Sequence, residues 1–112
     1  MKDNILKQII ETLLDNKAEN VVYLNVSSFN PLAEYYVICS VSSNRQALAL
    51  AKYVDDVLAK NGVFVKHIEG NSTSEWILVD GIDYIVHLFL PEARIKYSLE
   101  KLFCDVDIIK VD

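Results

Sequence analysis

Glycine and proline are scarce in this chain, three and two among 112 residues. That leaves little room for long loops, and with 52% apolar residues the chain reads as globular. Its two cysteines, Cys39 and Cys104, sit among apolar neighbours without metal-type spacing. Reduced, buried thiols in a cytosolic protein are the expectation. No apolar run approaches the roughly 20 residues that span a bilayer. The opening MKDNILKQIIETLLDNK carries charges throughout and no small-residue cleavage site, unlike a signal peptide. These absences point to a cytoplasmic protein with no membrane contact. Basic residues are the minority, 11 against 16 acidic ones, for a net charge of −5. Gripping phosphate backbones needs clustered Lys and Arg, so little direct nucleic-acid binding is expected.

Catalytic patterns are also missing. There is no His-x-x-Glu-His, Cys-x-x-Cys or P-loop spacing. A nucleotidyltransferase would need a Gly-Ser loop for phosphates and a nearby carboxylate pair for Mg²⁺. Gly62, Gly70 and Gly81 are followed by Val, Asn and Ile. Asp55 and Asp56 fall within a helical pattern, where adjacent side chains point about 100° apart, as on a solvated face. Asp80 and Asp83 flank a turn, where capping is the usual task for Asp. Asp105 and Asp107 would share a face of a short terminal strand. His67 reads as a satisfied core or interface residue, and nothing suggests a base for Cys39 or Cys104. No metal, cofactor or catalytic residue is expected. The alternative is a nucleotidyltransferase-like enzyme with a non-standard acidic pair.

What is present suffices for one domain over residues 1–112. Area scaling buries roughly two-thirds of the unfolded surface of such a chain. Ile5, Leu6, Ile9, Ile10, Leu13 and Leu14 recur at helical spacing. Strands are expected over 21–26 and 35–41, the second apolar on both sides and so interior to a sheet. Ser43 and Gln46 form a capping box for a second helix that ends at Asn61-Gly62. Residues 63–68 read as a third strand. Residues 76–79 and 84–90 read as a hairpin, and Pro91 suits the first turn of a last helix. Ile95, Leu99 and Leu102 would form that helix's apolar side, joined by Phe103. The order α-β-β-α-β-β-β-α describes an α/β domain with a mixed sheet of about five strands and helices packed on it.

The hairpin and following helix, WILVDGIDYIVHLFLPEARIKYSLEKL, hold most of the information. Both hairpin faces are apolar, whereas an edge hairpin hides one and wets the other. For a two-residue Asp80-Gly81 turn or a four-residue loop from Asp80 to Asp83, parity assigns the same faces. Trp76, Leu78, Ile85, His87 and Phe89 share one face; Ile77, Val79, Tyr84, Val86 and Leu88 share the other. The first set mixes Trp, His and Phe as recognition surfaces do. Two readings stay open: a fully covered pair of strands with His87 hydrogen-bonded inside, or a surface for another macromolecule.

The strings LNVSSFNPLAEYYVI, SSNRQALALA and EWILVDGIDYIVHLFLPEARIKYSLEKLF, in this order, resemble the ribosomal silencing factor (RsfS, or Iojap) family. The likeness runs from Val22 to Phe103. It implies a non-enzymatic binder of the large ribosomal subunit, docking on its fourteenth protein and blocking entry of the small subunit, so that translation falls when nutrients are scarce. It also implies a nucleotidyltransferase-related fold without the catalytic motif, which agrees with the missing Gly-Ser. The acidic charge then matches a basic ribosomal partner.

On that resemblance the partner-binding residues are Trp76, Leu78, Asp80, His87, Phe89, Arg94 and Tyr97. Trp76 and Phe89 would be apolar anchors, Asp80 would face basic groups, and Arg94 and Tyr97 would add polar contacts. A homodimer through the same hairpin would compete with that use. Three positions depart from the family pattern. Asn25 stands where Asp is usual, Phe103 replaces a common Trp, and the turn reads Asp-Gly-Ile-Asp where glycine more often comes one position later. The last should alter only the local turn type.

Overall fold

The N-terminal helical stripe becomes α1 (Asn4–Asp15) in the computed structural model, which describes residues 3–103 and 106–111. Asp3 caps this helix by accepting from the Leu6 amide at 3.0 Å, and Leu6, Ile9, Ile10 and Leu13 are buried. β1 (Glu19–Asn25) and β2 (Tyr35–Ser40) pair antiparallel, and α2 (Asn44–Lys60) follows. Ser43 caps α2 through the Gln46 amide, as expected. The Gln46 side-chain carbonyl, however, accepts from the Ser42 backbone amide rather than that of Ser43, at 2.7 Å. Its amide nitrogen donates to the Asn16 carbonyl at 3.1 Å, tying the start of α2 to the end of α1.

β3 is shorter than its sequence pattern, His67–Glu69 in place of 63–68. Its partner β4 (Trp76–Gly81) runs out at the hairpin turn, so the residues before Lys66 have nothing to pair with. β5 (Tyr84–Phe89) completes the hairpin and pairs parallel with β2. The last helix is interrupted. α3 (Pro91–Tyr97) stops at Ser98, whose φ is 44°, and a 3-10 stretch covers Leu99–Phe103. The Ser98 hydroxyl donates to the Ile95 carbonyl at 2.6 Å, the local competition that makes Ser a poor mid-helix residue. The expected apolar side is therefore corrected. Ile95 and Leu102 are 77% and 70% exposed, while Leu99 and Phe103 pack inward with the buried Ala93.

The short terminal strand read from the tail is β6 (Ile109–Lys110), which pairs with β1 and makes a sixth strand where about five were expected. The sheet runs β3-β4-β5-β2-β1-β6. It makes a mixed, open α/β architecture with three α-helices among the described residues. Helices α1 and α2 cover one face, over Ile77, Val79, Val86 and Leu88. The loop over residues 26–34, α3 and the 3-10 stretch cover part of the other, around Leu24, Ile38 and Phe89. The expectations for Cys104 and Asp105 lie outside the described residues, and Asp107, expected on a strand, precedes β6 instead. Cys39 is buried, as expected. No helix among the described residues is long and apolar enough to cross a membrane.

Candidate recognition surface

Parity along the hairpin is obeyed. Trp76 pairs with Phe89, Leu78 with His87 and Asp80 with Ile85, so these six side chains share the second face of the sheet. The turn joining the strands is Ile82-Asp83, closed by the Gly81–Tyr84 pair. The opposite face is fully buried, with Ile77, Val79, Val86 and Leu88 at 0% exposure. Neither open reading of the hairpin holds along its whole length. Phe89 and His87 lie beneath neighbouring elements at 0% and 3% exposure, whereas Trp76, Leu78, Asp80 and Ile85 are half-buried. Cover is lost toward β3, because α3 and the 3-10 stretch sit over β5, β2 and β1.

Around Trp76 the rings form a continuous cluster. Its indole lies 4.8 Å from the Phe89 ring and 5.0 Å from that of Tyr97, centroid to centroid. Tyr97 itself is 43% exposed. The indole N–H donates to His87 Nδ1 at 3.2 Å, and Tyr36 lies 4.8 Å from the imidazole on the far side. Phe103 continues the cluster from Tyr36 at 5.4 Å, and Phe29 follows it at 5.9 Å. Burial pushes the His87 imidazole down to about 4 from an ordinary 6.5, so it is neutral at physiological pH.

Beside this cluster runs a groove of about 490 Å³. Leu78, Ile85 and Tyr36 form its floor, the exposed Leu32 one wall, and His67, Glu69 and Asp80 the other. Asp80 does the turn-capping expected of it, accepting from the Ile82 amide at 3.0 Å. Its other oxygen is 3.8 Å from His67 Nδ1, while His67 Nε2 meets Glu69 Oε1 at 2.8 Å. His67 is thus an exposed residue between two carboxylates rather than a core histidine. Among the described residues no group of three or more His, Cys, Asp or Glu could hold a metal.

Three of the residues expected to contact a partner are placed otherwise. His87, at 3% exposure, lies beneath its neighbours. Phe89 is wholly buried behind Trp76 and can support an anchor but not be one. Arg94 turns inward. It forms a bidentate pair with Glu100, with both N···O distances 3.2 Å, and donates to the Asn20 carbonyl and to the Ser40 hydroxyl. With those donors engaged, it clamps the 3-10 stretch to β1 and β2. Trp76 and Leu78, half-buried, and the exposed Tyr97 form one accessible apolar strip, and Asp80 stands at its end. Sequence reasoning missed Tyr36, Phe29 and Leu32. They reach the surface through the β2–β5 pairing and the β1–β2 loop, which no local pattern signals.

A family model described as "Ribosomal silencing factor during starvation" matches residues 2–112. The chain is 35% identical over 109 residues to "Ribosomal silencing factor RsfS" of Bacillus subtilis, covering 97% of this chain and 92% of that one. It is 29% identical to "Mitochondrial assembly of ribosomal large subunit protein 1" of Mus musculus, over 88% of this chain and 44% of the relative. A crystal structure of a Chromobacterium violaceum protein superposes with a TM-score of 0.83 at 37% identity, covering 88% of this chain and 82% of that one.

Proposed function

This chain belongs to the ribosomal silencing factor family, and from that premise we propose that it binds the large ribosomal subunit in the cytoplasm, through its fourteenth protein, and sterically blocks joining of the small subunit. Translation is repressed by occupancy, without chemistry. The observation that carries the reading is the half-buried pair Trp76 and Leu78 beside the exposed Tyr97, on a protein of net charge −5. An aromatic anchor with an acidic border suits a basic ribosomal protein. Trp76, Leu78 and Tyr97 make the contacts, and Asp80 faces basic groups of the partner. Phe89, His87 and Arg94 hold the strip from behind. The name of the mouse relative, which assigns it to large-subunit assembly, supports the choice of subunit.

The test is subunit reassociation on a density gradient. The protein should sediment with the large subunit and deplete joined ribosomes; no effect at saturating protein would sink the proposal. Truncating a buried aromatic anchor costs about 2 kcal/mol or more, so Trp76→Ala should weaken association by at least roughly tenfold. Self-association through this strip would compete with the subunit, and would show as a dimer in size-exclusion chromatography that Trp76→Ala dissociates.

A further inference from the structure

His87 is an uncomfortable residue for its place. The indole N–H of Trp76 points into Nδ1, so Nδ1 must be the acceptor and the proton of the neutral ring sits on Nε2. That second nitrogen is buried and has no hydrogen-bond partner. A buried donor without an acceptor is a standing destabilisation, one that an apolar side chain of similar shape would remove. The packing around the ring is apolar or aromatic: Tyr36 from β2, Trp76 from β4 and Phe89 on its own strand. Among the described residues, Trp76 alone is hydrogen-bonded to the imidazole. Nor does His87 reach a partner directly, being 3% exposed.

We propose that His87 is a positioning residue: its Nδ1 holds the indole of Trp76, the chain's sole tryptophan, in the orientation that the partner reads. The inference rests on the reading of the Trp76 strip as the docking surface, and adds to it which buried group sets the anchor. Phe89 and Tyr97 limit where the indole can lie, but these tilted ring contacts do not fix which edge of the indole faces inward. A single acceptor on one side of the indole selects among those orientations. An anchor ordered before binding does not lose its rotamer freedom at the interface. Ordering one side chain beforehand is worth about two- to tenfold in affinity.

Two near-isosteric variants separate this role from simple packing. In His87→Asn the side-chain carbonyl falls close to where Nδ1 was and can accept the indole N–H; in His87→Leu nothing can. The single indole N–H resonance of the free ¹⁵N-labelled protein is read first. It should be shifted downfield and slow to exchange with solvent in the wild type and in His87→Asn, and should lose both properties in His87→Leu. Association with the large subunit should stay within about threefold for His87→Asn and weaken about two- to tenfold for His87→Leu. A wild-type indole N–H that exchanges as fast as free indole would overturn the proposal, even if His87→Leu failed to fold. So would an Asn variant as impaired as the Leu variant, or a folded Leu variant with wild-type affinity. If the wild type does not bind the subunit at all, the docking reading fails, while the indole resonance still decides whether His87 orients Trp76.

Discussion

Leu58 of α2 closes over Gly81 of the hairpin so tightly that a Cβ on the glycine would lie 2.7 Å from Leu58 Cδ1 and 2.9 Å from the Tyr84 carbonyl oxygen. The next residue, Ile82, has a φ of 70°, a left-handed conformation that a β-branched side chain disfavours. The two neighbours carry opposite demands: close approach requires glycine at 81, and backbone geometry would favour it at 82.

Gly81→Ala should therefore destabilise the fold by about 1–3 kcal/mol through overpacking. Ile82→Gly should stabilise it by about 1 kcal/mol by releasing backbone strain. Urea midpoints of the two variants should move in opposite directions. The departure at this turn, read from the sequence as a change of turn type alone, is a departure in strain as well.

His87 makes stability depend on pH. Its folded-state pKa, about 4, lies below the ordinary 6.5, so its contribution is fully present above about pH 6.5 and is lost as pH falls toward 4. Between pH 7 and pH 5 the loss should be about 2 kcal/mol. In His87→Leu this part of the pH dependence should vanish, and stability at pH 7 should equal or exceed that of the wild type. Chemical denaturation of both proteins at the two pH values measures it; parallel pH dependences would show that another group is responsible.

Tyr84 links the hairpin to the start of α1. Its hydroxyl donates to Asp3 at 2.7 Å, the same carboxylate that caps Leu6. Burial, and then the Asp3 carboxylate, push the phenol above its ordinary range. The stability this shift confers is complete below about pH 10 and is lost as pH rises beyond it. Asp3→Ala removes both the cap and the phenol's acceptor and should cost about 1–2 kcal/mol. Tyr84→Phe should cost less and flatten the alkaline limb of the stability profile; hydrogen exchange in the first turn of α1 should rise in both.

Arg94 and Glu100 form a pair whose side chains are 12% and 26% exposed. Arg94→Met also strips the Asn20 carbonyl and the Ser40 hydroxyl of their donor. A loss of about 2 kcal/mol is expected, below the range for fully buried pairs because solvent reaches Glu100. Glu100→Gln should cost less, since an amide oxygen can still accept. A double-mutant cycle of the two should show non-additivity; additive effects would mean that the pair contributes nothing as a pair.

Much of this was legible along the chain. Helical spacing located α1 and α2, Ser43 and Gly62 marked the ends of α2, and the two-residue period assigned ten hairpin side chains to the correct faces. These features depend on residues close in sequence, whose periodicity reports which side meets the core. Ser98 escaped notice because Ser is tolerated in helices, and its turn is stabilised by the Arg94–Glu100 contact across it. The short β3 escaped because a strand's length is set by its partner, here cut short at Gly81.

What the sequence determined by itself was an α/β domain of the ribosomal silencing family, with one hairpin face apolar enough for the core and the other mixed. Which members of the mixed face remain accessible was decided only in three dimensions. The parallel β2–β5 pairing and the cover from α3 and the 3-10 stretch bury His87 and Phe89 and leave Trp76, Leu78 and Tyr97 at the surface. Arg94, which looks available in the sequence, is drawn inward by Glu100, Asn20 and Ser40. Burial belongs to contacts between segments far apart in the chain, and no local pattern carries the positions of those segments.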